Sequence, residues 1–168
     1  MAPTSSTTVQ MALGDALAVC LMELNGFREN DFAKFHPGGS LGKNLTAKVE
    51  QFLSPQKPLV SADANIREII ISISASTHGI TVVEEGEKIT GVITDGDLRR
   101  MLMSEQDLSK ISAKDIMSSN PKSIDKNALA KEAMQILKDK NIGQLIVTDQ
   151  GKYFGIIDIH RLLDEGIN

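Results

Sequence analysis

A histidine followed by a rigid turn stands in the stretch ENDFAKFHPGGSLGK, near the start of the chain. The His36 imidazole titrates near neutral pH and can therefore move a proton. Pro37 favours an extended backbone at His36, because the residue before a proline avoids the helical region. Gly38 and Gly39 permit a tight reversal whose backbone N–H groups can face an anion. These residues indicate acid–base chemistry beside a phosphate; the alternative is a plain turn after a helix.

The composition is typical of a soluble globular protein, with 41% hydrophobic and 24% charged residues in a chain of 168. A net charge of −4 argues against a nucleic-acid-binding protein. Cys20 is the only cysteine, which excludes an intrachain disulfide and a cysteine-based metal cluster, and we expect it in a core. We expect no metal and no cofactor. The apolar run MALGDALAVCLMEL is predicted to be too short to span a bilayer.

From about residue 53 onward the sequence repeats itself. The segments GITVV and GVI recur as GQLIV and GII at an offset of 64 residues. The tripeptide that begins at Ser61 pairs with the one that begins at Ser123 at an offset of 62, which predicts a small insertion between these points. A period of this length marks duplicated modules.

Each module is predicted to consist of a strand, a helix, two strands joined by a hairpin, and a closing helix. The hairpin turns EGEK and DQGK have typical turn chemistry. Neither module is large enough for a generous core of its own, so we expect the two to pack against each other. The predicted helices span 66–76 and 95–103 in the first module, and 128–139 and 159–165 in the second.

This duplicated pattern, with GVITDGDL closing the first module, resembles a tandem CBS domain pair over about residues 52 to 168. The resemblance implies an α+β fold in which each module has the order β-α-β-β-α. It places CBS module 1 at residues 51–110 and CBS module 2 at residues 111–168.

The same resemblance points to an effector site. In CBS pairs the end of the last strand and the start of the next helix face a cleft, where a hydroxyl contacts phosphate and a carboxylate contacts ribose. The corresponding pattern falls here on Gly91, Thr94 and Asp97, and Arg99 or Arg100 can add charge-assisted contacts. The alternative is that Thr94 caps the helix and Asp97 stabilises its first turn.

The second module departs from this pattern. Asp158 stands where Thr94 stands in the first module, and Arg161 replaces Asp97. A carboxylate repels phosphate and a guanidinium cannot accept from ribose. The sequence therefore favours one asymmetric nucleotide site. His160 lies in the same helix and is a candidate effector contact; its alternative is a surface or packing role.

Residues 1–50 have a different character. A helix is predicted from Thr8 to Asn25, with Gly26 as its C-terminal stop. Its apolar residues lie nearly all the way round, and such a helix is normally buried inside something larger. We infer that the chain is a piece of a longer protein, or that it depends on oligomer contacts.

The segment PTSSTTVQMALGDALAVCLMELNGF, followed by DFAKFHPGGSLGK, resembles the end of the sugar isomerase (SIS) domain in arabinose 5-phosphate isomerases of the KpsF/GutQ type. That family places an SIS domain before two CBS modules. The resemblance implies that residues 1–50 are the helical C-terminal remnant of an α/β SIS domain. It also implies a parent enzyme that interconverts arabinose 5-phosphate and ribulose 5-phosphate and supplies Kdo for lipopolysaccharide or capsule.

The SIS resemblance also assigns roles to residues. It implies that His36 is catalytic, and we expect the chain alone to be inactive because a general base needs a formed pocket. It further implies a homo-oligomer, with a tetrameric parent and a possible dimer of this chain. The residues implied to line the sugar-phosphate pocket are Ser5, Ser6, Thr7, Thr8, Gly38 and Gly39.

For this pathway the expected effector is a nucleotide or a nucleotide sugar such as CMP-Kdo. An alternative of another class is a self-sufficient nucleotide-sensing CBS adaptor without catalysis, whose apolar helix docks a partner protein. A third is a structural dimerisation module that binds no ligand. The sequence predicts a cytoplasmic protein without nucleic-acid or membrane partners.

Overall fold

The structure is a computed structural model that describes residues 3–35, 40–103 and 107–168. The chain forms two compact units, Met1–Thr46 and Ala47–Asn168. The predicted boundaries at 50/51 and 110/111 follow the sequence repeat and stay predictions.

Three helices make up the described part of the first unit: α1 (Thr4–Leu24), α2 (Glu29–Phe35) and α3 (Ser40–Thr46). Helix α1 ends as predicted, because Gly26 adopts a left-handed φ of 62°. The Gly26 N–H donates to Glu23 O at 3.1 Å, and the Phe27 N–H donates to Met22 O at 2.9 Å. This pair of bonds is a Schellman motif, which satisfies the last carbonyls of the helix.

The start of α1 differs from the prediction. The helix begins four residues before Thr8, and its cap position is Pro3, which offers no capping side chain. The Thr8 hydroxyl donates to Thr4 O at 2.9 Å, and the Ser6 hydroxyl donates to Pro3 O at 3.0 Å. These hydroxyls are satisfied by carbonyls of the preceding turn, so they bond within the helix instead of capping it.

Helix α1 has no buried residue, and the expectation that Cys20 lies in a core is wrong for this chain, where it is exposed. The apolar side chains run round the helix as predicted, and nothing in the described part of the first unit covers them. Among the described helices α1 alone is long and apolar enough to cross a bilayer, which corrects the prediction that this run is too short. A core helix of a soluble protein meets the same criterion. The exposed apolar residues are Val9, Met11, Leu13, Leu17, Val19, Leu21, Met22 and Leu24.

The second unit contains two copies of the predicted β-α-β-β-α module. The first sheet has the strand order β1-β2-β3-β4 and the second has the order β5-β6-β7. In each sheet the first strand pairs parallel with the second, and the next two strands form an antiparallel hairpin. The first module comprises β1 (Leu59–Ser61), α4 (Ile66–Ala75), β2 (Ile80–Glu85), β3 (Lys88–Thr94) and α5 (Asp95–Leu102). The second comprises β5 (Ser123–Asp125), α7 (Ala130–Lys140), β6 (Gln144–Asp149), β7 (Lys152–Asp158) and α8 (Ile159–Asp164). The segment that leads into it contains α6 (Ala113–Ile116) and β4 (Ser118–Ser119).

The strand registers show one constant repeat. Leu59 pairs with Val82 in the first sheet, and Ser123 pairs with Ile146 in the second. Both strands are therefore displaced by the same 64 residues that separate the hairpins. The predicted offset of 62 and the insertion inferred from it are wrong. In the structure Ser123 corresponds to Leu59, so the tripeptide that begins at Ser61 only resembles the one at Ser123 and does not occupy the equivalent place.

The segments that lead into each module are exchanged. Val49 and Phe52, in a 3-10 helix, belong to the apolar core of the second module. Ile111 and Ala113 precede the second module but belong to the core of the first. Strand β4 likewise pairs with β3 of the first module. Each module is thus completed by a segment of the other, which binds the two into one unit.

A third apolar cluster joins the inner faces of the two sheets. Ile80 and Val82 of β2 pack with Ile146 of β6 and Ile156 of β7. The expectation that the modules pack against each other is confirmed. Tyr153 packs against the same cluster, and its hydroxyl donates to Pro58 O at 3.3 Å.

Candidate functional site

A cavity of about 400 Å³ lies between the two modules of the second unit. Its volume is within the range of small-molecule sites. One part is apolar, and the rest is lined by hydroxyl, amide and basic side chains and by one carboxylate. The lining residues are Ile80, Val92, Thr94, Asp97, Arg100, Ser118, Ser119, Asn120, Pro121, Lys122, Ile142, Gly143, Gln144 and Ile146.

Thr94 and Asp97 form a capping box at the start of α5. The Thr94 N–H and hydroxyl donate to Asp97 Oδ2 at 2.8 and 2.6 Å, and the Asp97 N–H donates to Thr94 Oγ1 at 3.3 Å. These bonds satisfy orphan N–H groups of the helix N-terminus. The capping role considered in the sequence analysis is therefore present, and both residues also line the cavity.

Arg100 supplies positive charge at this site. It bonds Asp97 Oδ1, while its side chain remains mostly exposed. Among the described residues, the cavity lining includes Arg100 rather than Arg99. Arg100 reaches the cavity because residues 94, 97 and 100 are three apart and lie on one face of α5, whereas residue 99 does not follow this spacing.

The segment from Ser118 to Lys122 also lines the cavity and was not predicted from the sequence. It enters β5, and Asn120 has a left-handed φ of 55°. Asn is among the residues that tolerate this conformation. The signal that could have identified the segment is Asn120-Pro121 immediately before a short predicted strand.

Gly91 lies in β3 beside this segment. A Cβ at Gly91 would lie 2.6 Å from Met117 Sδ and 2.9 Å from Ser118 O. The described cavity lining does not include Gly91. Its proximity to Ser118 therefore indicates a packing role that shapes the cavity wall.

The equivalent place in the second module holds a polar cluster, called here the Asp158 cluster: Ser54, His78, Gln144 and Asp158. Gln144 Nε2 donates to Asp158 Oδ2 at 3.1 Å, and His78 Nδ1 lies 3.6 Å from the same oxygen. His78 Nε2 is 2.8 Å from Ser54 Oγ. Only Gln144 of this cluster belongs to the described cavity lining.

His160, predicted as a candidate effector contact, has an exposed side chain on α8. Its backbone N–H donates to Asp158 Oδ1 at 2.8 Å. Asp158 thus caps α8 as Thr94 caps α5. The structure brings Thr94 and Asp97 together at the cavity and does not bring the His160 side chain there among the residues it describes.

The predicted sugar-phosphate residues lie in the first unit. Ser5, Ser6, Thr7 and Thr8 are exposed in the first turns of α1. His36, Gly38 and Gly39 lie outside the described residues. The predicted roles of all these residues stay predictions.

The paired β-α-β-β-α modules, their exchanged leading segments and the cleft between them define a tandem CBS pair. The CBS domain model matches residues 49–104 and 113–168, and the chain belongs to this family.

Two relatives match nearly the whole chain. Arabinose 5-phosphate isomerase KdsD of Francisella tularensis subsp. tularensis is 42% identical over 166 residues, which are 97% of this chain and 51% of that protein. Arabinose 5-phosphate isomerase KpsF of Escherichia coli is 37% identical over 161 residues, which are 95% of this chain and 49% of that protein. The chain therefore spans about half the length of the curated relatives it matches.

Solved structures share the fold. A CBS domain protein from Pyrobaculum aerophilum complexed with AMP has a TM-score of 0.62 and 20% identity, covering 68% of this chain and 89% of that chain. The CBS domain of a bacterial CNNM/CorC family Mg²⁺ transporter in complex with ATP has a TM-score of 0.62 and 20% identity, covering 76% of this chain and 91% of that chain. At such identities the likeness is one of fold.

Proposed function

We propose that this chain is the C-terminal, regulatory half of an arabinose 5-phosphate isomerase. The parent enzyme would interconvert arabinose 5-phosphate and ribulose 5-phosphate in the cytoplasm, in the supply of Kdo. The observation that supports this most is the 42% identity to such an isomerase across 97% of the chain. Because the match includes the first unit as well as the CBS pair, it favours this proposal over a stand-alone CBS adaptor.

In this proposal the first unit is the end of the SIS domain. Isomerisation moves a proton between adjacent carbons through an enediol, and His36 would open the sugar ring or carry protons to oxygen. Ser5 to Thr8, together with Gly38 and Gly39, would face the sugar phosphate. The uncovered apolar surface of α1 supports this assignment, because such a helix needs a surrounding domain. This chain alone would be inactive.

The CBS pair would bind a nucleotide-type effector such as CMP-Kdo in the cavity between the modules. Thr94 and the N-terminus of α5 suit a phosphate group, and Arg100 and Lys122 add positive charge. Asp97 would exchange its bond with Arg100 for the hydroxyls of a ribose. The apolar part of the cavity suits the planar base.

Thermal unfolding of the chain with CMP-Kdo, CMP, AMP, ATP and arabinose 5-phosphate tests this assignment. A ligand at about one hundred times its dissociation constant stabilises the folded state by roughly 2.7 kcal/mol. We expect a shift with at least one cytidine or adenine nucleotide and none with arabinose 5-phosphate. No shift with any nucleotide would refute effector binding and favour the structural dimerisation module.

Thr94→Ala separates the binding role from the capping role. Ser112 and Asp115 form the same kind of capping box on α6, and neither belongs to the described cavity lining. Loss of either cap should cost about 1 kcal/mol. Only Thr94→Ala should also weaken nucleotide binding, whereas equal affinities in Thr94→Ala and Ser112→Ala would show that Thr94 is a cap alone.

The regulatory role needs the longer protein. We expect its isomerase activity to change when the effector is added, and Thr94→Ala to abolish that response while leaving the basal rate unchanged. Light scattering should find a tetramer of the longer protein. An isomerase rate that is unchanged by a saturating concentration of the effector would contradict the regulatory role.

A further inference from the structure

Gln144 connects the cavity to the Asp158 cluster. It begins β6 and lines the cavity with Ile80 and Ile146. Its Cα pairs with that of Asp158 across the β6–β7 ladder, and its Nε2 donates to Asp158 Oδ2 at 3.1 Å. Gln144 therefore both lines the cavity and bonds a buried carboxylate through its amide.

The Asp158 carboxylate determines whether the NH₂ group or the carbonyl oxygen of Gln144 faces it. A carboxylate accepts hydrogen bonds and donates none, so the NH₂ group of Gln144 must face Asp158 and its carbonyl oxygen must face away. The opposite orientation would place two oxygen acceptors against each other at a buried site, which is costly.

Asp158 cannot easily turn away to release the amide. It is only 5% exposed. The His160 N–H holds its Oδ1 at 2.8 Å, and His78 Nδ1 lies 3.6 Å from its Oδ2. Ser54 Oγ, at 2.8 Å from His78 Nε2, holds that imidazole in place.

The carbonyl oxygen of Gln144 is an open acceptor. Within the part of the chain that the structure describes, no donor bonds to it, and it is not among the buried atoms left without a partner. Asp158 does not belong to the described lining, whereas Gln144 does. An oxygen that faces away from Asp158 on a cavity-lining residue can accept from a ligand that lies beside Ile80, Ile142 and Ile146.

We propose that Gln144 selects the base of the bound nucleotide by accepting a hydrogen bond from the exocyclic amino group of cytosine or adenine. This inference rests on the nucleotide site proposed above. Uracil and hypoxanthine carry a carbonyl oxygen in place of that amino group, so they would oppose the Gln144 oxygen. Asp158 is the positioning residue, because it prevents the amide from turning over to suit them.

Calorimetric titration of the whole chain with CMP, UMP, AMP and IMP tests this selection. In at least one pair, CMP with UMP or AMP with IMP, the amino-bearing nucleotide should bind about tenfold more tightly, as expected for one hydrogen bond gained against one opposed acceptor. Gln144→Met keeps a similar side-chain volume without polar atoms and should bring that ratio to about one. Asp158→Asn should also lower the ratio, because a carboxamide tolerates both orientations of Gln144.

Gln135→Met is the matched control. The Gln135 amide donates to Asp139 at 2.7 Å on the exposed face of α7, away from the cavity, so its loss should leave the ratio unchanged. Thermal unfolding of each variant checks that it folds. If Gln144→Met does not fold, the ratio measured in Asp158→Asn tests the inference.

Three outcomes would overturn the inference: nucleotide binding with wild-type ratios near one in both pairs, a ratio that Gln144→Met leaves intact, or the same loss of selectivity in Gln135→Met. The first of these would leave the proposed nucleotide site standing. Failure of all four nucleotides, and of CMP-Kdo and ATP, to bind the folded wild-type chain would instead overturn the proposed site and this inference together.

Discussion

Replacing Gly91 by alanine tests whether a close approach of backbone segments shapes the cavity. The added Cβ would lie 2.6 Å from Met117 Sδ, 2.8 Å from its Cγ and 2.9 Å from Ser118 O. The methionine side chain can move, but Ser118 O is backbone in β4, whose pairing partner is β3. Gly91→Ala must therefore displace β4.

The expected cost follows from these contacts. Gly91 does not have a left-handed φ, so alanine adds no backbone strain and the effect is steric. Overpacking of this kind costs about 1–3 kcal/mol, and a backbone contact places Gly91→Ala near the middle, at about 2 kcal/mol. For a unit of this size the midpoint of thermal unfolding should fall by roughly 8 °C.

Gly155→Ala is the matched control, since Gly155 occupies the equivalent place in the second module. Its Cβ would lie 3.2 Å from Leu53 Cδ2, the end of a flexible side chain, so we expect a cost below about 1 kcal/mol. Thermal unfolding measures both variants, and nucleotide titration should find weaker binding only in Gly91→Ala, because Ser118 and Ser119 line the cavity. Equal destabilisation of the two variants, or unchanged affinity in Gly91→Ala, would show that the close contact with β4 does not shape the cavity.

Two further predictions concern the fold. Burial raises the pKa of Tyr153 above its ordinary value of 10.0, so the folded chain keeps a proton that the unfolded chain releases, and stability should fall as pH rises beyond 10. Tyr153→Phe should lose less stability over that range in unfolding scans, and parallel losses would contradict the assignment. A chain that begins at Ala47 should unfold at the same midpoint and bind nucleotide equally well, because the unit Ala47–Asn168 has its own core; a lower midpoint or affinity would contradict this.

Local signals predicted most of the second unit. Helix α4 begins at Ile66 as expected, where Asn65 and Glu68 form a capping box. Both hairpin turns have two successive left-handed residues, which matches their glycine-containing sequences. Periodicity and turn chemistry act over a few residues, so they are visible in one sequence. The Thr94–Asp97 pair was visible for the same reason, because a capping box spans a single turn of helix.

Contacts between distant residues were not predictable in this way. His78 precedes a strand and looks like a loop residue in the sequence, yet it lies against Ser54 and Asp158. The choice of Arg100 over Arg99 at the cavity depends on how α5 is rotated against β3. The exchange of leading segments also escaped prediction, since nothing local assigns Val49 to the core of the more distant module.

The duplication lets the two sides of the cleft be compared residue by residue. Thr94 and Asp97 bond each other and line the cavity, whereas Asp158 accepts from Gln144 and lies 3.6 Å from His78. A nucleotide phosphate at Asp158 would have to break these bonds and approach a buried carboxylate, at a cost in both desolvation and repulsion. The pair should therefore bind one nucleotide per chain. The Asp158 cluster that disfavours a nucleotide at the second position would also orient Gln144 toward the first, so a single site and its proposed selectivity would have one structural cause.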